Sequence, residues 1–485
     1  MDLVLPQIDW VPLAPILPVA LGGLAALVAG LFLPAGRKNL IAILSLAALV
    51  LSILLSIGLW GGMVRFSIND ALVLDRFGLF FYLVFALVSL LTILLSMGYL
   101  DARTPDHGEY YSLLLFSTLG MMLMAAGGDL IVIFLGLETL SLALYTLCGF
   151  QKGELRSNES ALKYLLLGAF ASGFFLYGIA LIYGATGTTV LRRIAALLND
   201  GRPPSLLLVL GGGLLLVGFG FKVACVPFHM WTPDVYEGAP TSVTAFMIAG
   251  TKAAAFAAFL RVFLLALPTL QVQWSAVIWV LAVVTMTLGN LVALVQNNVK
   301  RMLAYSSIAH VGYLLVAFVA GGSSGATSVL FYLVAYALMN LGAFAAIIAL
   351  QGHGQELLLL PDYAGLGFRR PTLAACMALF MFSLAGIPPT AGFMGKFYIF
   401  SAAVEGHYPG LAVIGVLNSV VSVFFYLRPV VIMYMSEPAT ERPLVPVSGA
   451  AILAVALSAL GTLELGLFPA RLLDLARQSV AALRG

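Results

Sequence analysis

The chain has 485 residues, 62% of them hydrophobic and only 9% charged, against roughly 25% charged in an ordinary soluble domain. That composition excludes a soluble globular protein, and a formal net charge of +3 without a basic cluster gives no footing to a nucleic-acid partner. Cys148, Cys225 and Cys376 stand apart in apolar segments, so no C-x-x-C pair or Cys/His cluster offers a zinc, haem or iron–sulfur site.

Apolar runs recur from Pro12 to Ala470 with only short polar breaks. Residues 1–36 contain no lysine or arginine, so a cleaved basic leader is not expected and Met1 is read as mature protein. A span needs about 20 mostly apolar residues. By that measure about fourteen are predicted, the first five at 12–34, 38–60, 74–100, 110–127 and 130–150. The next five fall at 160–184, 204–226, 241–267, 272–296 and 302–321, and the last four at 325–350, 372–404, 409–435 and 446–469. The expected fold is an all-α polytopic membrane protein, a compact helical bundle without a second soluble domain. An even span count puts both termini on one side. Twelve basic residues, from Arg37 to Arg442, fall on the opposite side and nine, from Arg65 to Arg484, on the terminal side. The balance places the termini outside the cytoplasm, although Arg192, Arg193 and Arg202 pull the other way.

Two stretches, FGFKVACVPFHMWTPDVYEGAPTS and FSLAGIPPTAGFMGKFYIF, interrupt their spans with proline and glycine. Proline removes a backbone donor, and in lipid the freed groups survive only against protein or a hydrated cavity. Paired broken helices in two halves of a chain point to inverted repeats with sites near the midplane. The expected division is 1–109 (helices 1–3), 110–270 (first five-helix repeat), 271–435 (second repeat) and 436–485 (helix 14 and tail).

Three of the seven lysines, Lys222, Lys252 and Lys396, lie inside predicted spans, as does Glu138. A charge at the bilayer centre costs roughly 2.5–3.5 kcal/mol on insertion scales. Burial disfavours the ammonium, so a buried lysine can release and recapture a proton near neutral pH, which arginine cannot. A nearby carboxylate would hold the proton and its withdrawal would release it, hence an expected pairing of Glu138 with Lys222. The competing reading is a structural ion pair, or a lysine reaching for the interface. Ser306, His310 and Tyr313 share one face of LAYSSIAHVGYLL, and Tyr332, Tyr336 and Asn340 recur at similar spacing in FYLVAYALMN. Such faces suit a water-borne proton relay, with His310 the side chain that titrates nearest neutrality. Plain interhelical hydrogen bonding accounts for them equally well. Asp70, Asp75, Asp101 and Glu464 read as solvated residues near interfaces, and Asp234 and Glu237 as helix caps.

Five ordered motifs, LGLETLSLALYTL, GFGFKVACVPFHMWTPDVYEGAP, AGTKAAAFAAFLR, NNVKRMLAYSSIAHVGY and SLAGIPPTAGFMGKF, resemble the antiporter-like membrane subunits of respiratory complex I. The resemblance runs from the third span to the thirteenth and is nearest to the N type. It implies a fourteen-helix core with two inverted five-helix repeats, each with a broken helix. It also implies a proton path through Glu138, Lys222, Lys252 and Lys396, the first two paired and the last facing the outer half-channel. The M type carries an acidic residue at the Lys396 position, and the L type a long lateral helix that this sequence, ending at Gly485, lacks. A subunit of NADH–quinone oxidoreductase in the bacterial inner membrane is thus expected. Its partners would be the antiporter-like subunit M and small subunits such as K, with quinone, FMN and iron–sulfur clusters held elsewhere and no cofactor in this chain. The Glu and Lys pattern is shared with multi-subunit sodium/proton antiporters, which stand as the first rival. A stand-alone transporter of an organic substrate is the second.

Overall fold

The computed structural model describes residues 8–34, 38–101, 108–198, 204–350, 356–437 and 446–484. Arg37, Arg103, Arg202 and Arg442, used in the orientation count, lie outside the described residues. Helices α1 (Leu17–Phe32) and α2 (Asn39–Gly58) lead into a small antiparallel hairpin of β1 (Arg65–Ser67) and β2 (Leu72–Leu74), with Phe66 opposite Val73. This hairpin is the one departure from an all-helical chain among the described residues. Its turn holds Ile68, Asn69 and Asp70 at positive φ.

Then come α3 (Arg76–Asp101), α4 (Gly108–Ala126), α5 (Leu130–Cys148), α6 (Leu155–Thr186) and a short α7 (Leu191–Leu198). Next, α8 (Leu206–Val223) is followed by α9 (Trp231–Gly238). A continuous segment, Thr241–Ala266, contains α10 (Thr241–Phe246), a π-helical stretch (Met247–Thr251) and α11 (Lys252–Leu260), and ends in a second π-helical stretch (Arg261–Ala266). The second half holds α12 (Gln271–Leu294), α13 (Val299–Ala320), α14 (Gly322–Ala349), α15 (Leu366–Arg369), α16 (Pro371–Ala385), α17 (Ala391–Glu405) and α18 (Pro409–Met435). The chain closes with α19 (Gly449–Leu467) and α20 (Ala470–Arg484).

Each of the fourteen predicted segments contains helix, and twelve helices among the described residues are long and apolar enough to cross a membrane. Three segments differ from expectation. The first is helical only from Leu17, because turns occupy the residues ahead of it. The segment 372–404 is two helices, since Gly386 takes a left-handed conformation (φ 89°) and Pro388 and Pro389 follow. The segment 204–226 ends early in the same way: Ala224 is left-handed (φ 64°) and closes α8 ahead of Pro227. The tail beyond 469 is a further amphipathic helix, α20, packed on α3 and α14.

Helices apolar on every face belong in the middle of a bundle. Here α13 and α14 are 94% buried over their most apolar windows, against 33% for α18 at the rim. Polar caps fix where several helices start: Asp129 accepts from the Ile131 N–H (2.7 Å) and Asn298 from the Arg301 N–H (3.2 Å). These two caps occupy matching surroundings. The Leu130 N–H donates to the Thr189 carbonyl (3.0 Å), and the Leu191 N–H to that of Gly128 (2.9 Å). In the second half Val299 donates to Leu358 (2.7 Å) and Leu360 to Asn297 (2.9 Å). Gly120 lets α4 approach α5, where a Cβ would lie 2.6 Å from the Gly136 carbonyl oxygen. Gly289 does so for α12 and α13, where a Cβ would lie 2.6 Å from the Ala309 nitrogen. Every matched pair (120 and 289, 129 and 298, 190 and 359) is 169 positions apart.

Candidate functional site: a row of buried lysines

Lys222 sits in the last turn of α8 and is buried. Its ammonium donates to the Ser141 hydroxyl on α5 (2.7 Å) and lies 5.5 Å from the ring centre of Tyr164 and 5.8 Å from that of Tyr145. The negative faces of the two rings attract the cation. Ser141 in turn donates to the Leu137 carbonyl. Glu138 is half-buried on the same helix and accepts from Ser172 on α6. The expected pairing of Glu138 with Lys222 is therefore not a direct ion pair. The serine one turn along α5 takes the ammonium, and the carboxylate stands to one side of it.

Lys252 opens α11 directly after the first π-helical stretch and is 1% exposed. It donates to both the backbone carbonyl (2.6 Å) and the hydroxyl (2.8 Å) of Ser307 on α13. One turn further along α13, His310 bridges two phenols: Nδ1 meets Tyr332 of α14, and Nε2 meets Tyr426 of α18 at 2.9 Å. Ser306 also binds the Tyr426 hydroxyl. The Tyr313 hydroxyl accepts from Asn290 (3.0 Å), which also donates to the Asn418 carbonyl (3.1 Å). Tyr336 packs its ring against His310 and sets its buried hydroxyl beside Ser307. The buried hydroxyls of Tyr145 and Tyr236 stand in the same way beside Ser141 and Thr251.

Lys396 on α17 completes the row. Its ammonium donates to the carbonyls of Leu384 (3.1 Å) and Ala385 (2.9 Å) at the C-terminus of α16, and to Ser419 of α18 (2.8 Å). The Tyr313 ring centre is 5.0 Å away. A half-helix C-terminus carries partial negative charge, so the break itself is the lysine's partner. Gly386 is needed there twice over, for its positive φ and because a Cβ would come 3.0 Å from the Lys396 side chain. A largely apolar cleft of about 910 Å³, lined by Lys396, Ser401, Glu405 and Ser419 among others, opens beside it.

The structure thus joins Ser306, His310 and Tyr332 in one hydrogen-bonded cluster, sets Tyr313 under Lys396, and places Tyr336 in ring contact with His310 beside Ser307. Sequence reading missed Ser141, Ser172, Ser307, Ser419 and Tyr426. A hydroxyl three residues from Glu138 in an apolar run was the visible signal for Ser141; the others had none.

Several charged residues play other parts. Asp75, expected to be solvated, is buried and forms a bidentate pair with buried Arg261 (2.9 Å to each oxygen), which also donates to the Ala125 carbonyl. Asp234 and Glu237, expected to cap helix ends, bind Arg301 of α13 at 2.9 and 2.8 Å, and Asp234 also binds Lys163 of α6 at 2.7 Å.

A family model described as NADH:quinone oxidoreductase/Mrp antiporter, TM, matches residues 127–422. NADH-quinone oxidoreductase subunit N of Trichlorobacter lovleyi is 51% identical over 459 residues, covering 94% of each chain. The chain belongs to the NADH-quinone oxidoreductase subunit N family. Among solved structures, this subunit N family member is similar to a chain of respiratory complex I from Thermus thermophilus. The two are 36% identical with a TM-score of 0.81, over 95% of this chain and 98% of the other. A chain of the Mrp complex from Dietzia sp. has a TM-score of 0.86 over 98% and 97% of the two chains, but at 24% identity that likeness is one of fold alone.

Proposed function

We propose that this chain is a proton-translocating subunit in the membrane arm of NADH–quinone oxidoreductase, and that protons cross it through Glu138, Lys222, Lys252 and Lys396. It is a multi-pass protein of the bacterial inner membrane, working among other membrane-arm subunits and the lipid bilayer. The antiporter-like subunit M and small subunits such as K are the neighbours we assign to it. Within that translocase it is the non-redox part. FMN, iron–sulfur clusters and quinone belong to partner subunits, and quinone reduction there drives the protons here.

One observation carries the reading. Three ammonium groups lie deep in the bundle, and each is hydrogen-bonded to hydroxyl or carbonyl oxygens rather than ion-paired with a described carboxylate. Neutral oxygens satisfy an ammonium's hydrogens but leave its charge uncompensated in a poorly polarisable interior. Proton occupancy then responds to any charge that moves nearby. Ser306, His310, Tyr313, Tyr332 and Tyr336 supply the relay between Lys252 and Lys396, with water completing it.

The division we assign is 1–109, a first repeat at 110–270, a second at 271–435, and 436–485. The constant 169-residue spacing supports it. With five spans per repeat, α5 and α13 start on opposite faces of the membrane, so the two repeats are inverted. Higher identity to subunit N relatives favours the pump over the sodium/proton antiporter. The test is Lys222→Ala and Lys396→Ala in the assembled complex in sealed vesicles. Each should lower the protons moved per NADH oxidised, and full stoichiometry in both would overturn the lysine row.

A further inference from the structure

Two ionisable residues outside the row stand where the helices that build the Lys252 site begin. Lys300, in the first turn of α13, is 1% exposed. Its ammonium donates to the Ala239 carbonyl (2.8 Å), in the link between α9 and α10, and lies 3.4 Å from Glu356 Oε2. The other carboxylate oxygen of Glu356 accepts from Thr241 Oγ1 (2.6 Å) and the Tyr99 hydroxyl (2.7 Å). Tyr99 also accepts from the Thr241 N–H (3.0 Å) and from Gln151 (3.3 Å). The Glu356 side chain keeps 14% exposure. It therefore meets solvent on one side and a buried cation on the other.

Its partners stand at the head of both helices that build the Lys252 site. Lys300 lies seven residues before Ser307, two turns or about 10 Å along α13. Thr241 begins the continuous segment that reaches Lys252 eleven residues on, about 16 Å away. Tyr236 sets its buried hydroxyl beside Thr251 and Tyr336 beside Ser307, so polar side chains flank the lower end of this interval. Also facing the pair are Tyr99, Cys148 and Tyr363, whose phenol and thiol groups are ordinarily neutral at pH 7. Between Lys300 and Glu356, the carboxylate is a proton acceptor and the ammonium is not.

We propose that Glu356, with Lys300 as its buried counter-charge, loads protons toward Lys252 from the membrane face at which α13 begins. The carboxylate takes a proton from water on that face and passes it inward through water to the unprotonated Lys252 amine, which restores the carboxylate. Lys300 keeps Glu356 ionised between loadings and, held by the Ala239 carbonyl, stays in place while Glu356 is neutral. The proposal rests on the lysine row and adds its inlet.

The experiment uses the assembled complex in sealed vesicles, with Glu356→Gln, Glu356→Asp and, as reference, Lys252→Ala. NADH-driven pumping is followed as the pH of the loading side is varied alone. Glu356→Gln should lower pumping roughly threefold to tenfold at pH 8. Acidifying the loading side should restore it, because a higher proton concentration replaces the lost carboxylate, so the alkaline limb moves to lower pH. Glu356→Asp should show a smaller shift in the same direction. If Glu356→Gln assembles poorly, the pH profile of Glu356→Asp decides. Wild-type rates and an unshifted limb in a Glu356 variant, with Lys252→Ala impaired, would overturn the inlet alone. If Lys252→Ala also pumped normally, the lysine row itself would fall.

Discussion

The two halves share a scaffold but hold their lysines differently. At the spacing of 169 that relates the caps and the crossing glycines, Glu138 corresponds to Ser307 and Ser141 to His310. In the first half a carboxylate stands one turn from the serine that receives the Lys222 ammonium. In the second half the matching position is a serine that itself receives Lys252, and Lys396 rests on the carbonyl end of a broken helix. One half can therefore hold a proton through a full negative charge, and the other only through dipoles. The difference teaches that a repeated scaffold leaves open both where a lysine stands and what holds its charge.

The comparison breaks most readily at Lys396. Lys396→Met and Lys396→Arg should both lower coupled proton pumping by on the order of tenfold or more, since neither side chain releases a proton; pumping retained by the arginine variant would show that only charge is needed there. Asp75→Ala should cost about 3–5 kcal/mol of stability by stranding buried Arg261, seen as earlier thermal unfolding in detergent. The protons per electron of the complexes that survive should stay unchanged, because a bidentate arginine pair has no proton to hand on. A subtler pair of changes exchanges the character of the halves. Glu138→Gln should lower coupled turnover roughly two- to threefold without blocking assembly, whereas Ser307→Glu should slow it by fastening the proton on Lys252. Equal effects of the two on the pH profile would erase the distinction drawn here. Smallest of all, Lys163→Ala, in the half-exposed network with Asp234, should change stability by less than about 1 kcal/mol, as measured by the same unfolding assay.

The spans and both breaks were legible because hydrocarbon imposes length and composition on the sequence, and proline and glycine mark the interruptions. Lys222, Lys252 and Lys396 were visible because charge is so rare in such runs. Their holders were not. Ser307 and Ser419 resemble any hydroxyl in a membrane helix, and Tyr426 any aromatic, until tertiary contact aims them. Asp75 misled for a different reason: it lies at a helix end, where sequence cannot tell a residue facing water from one folded under a neighbour. Glu356 follows α14 with nothing local to relate it to Thr241, 115 positions earlier.

The wide turn at Met247–Thr251 has a mechanical consequence. A π-type turn takes up one residue more than the helix around it, and one residue is about 100° of rotation. Lys252 therefore owes its heading toward α13 to a phase slip just upstream. Deleting a single residue from that stretch would swing the ammonium away from Ser307 while leaving composition and hydropathy almost untouched. Alignment of the lysine row is thus set by winding as much as by sequence.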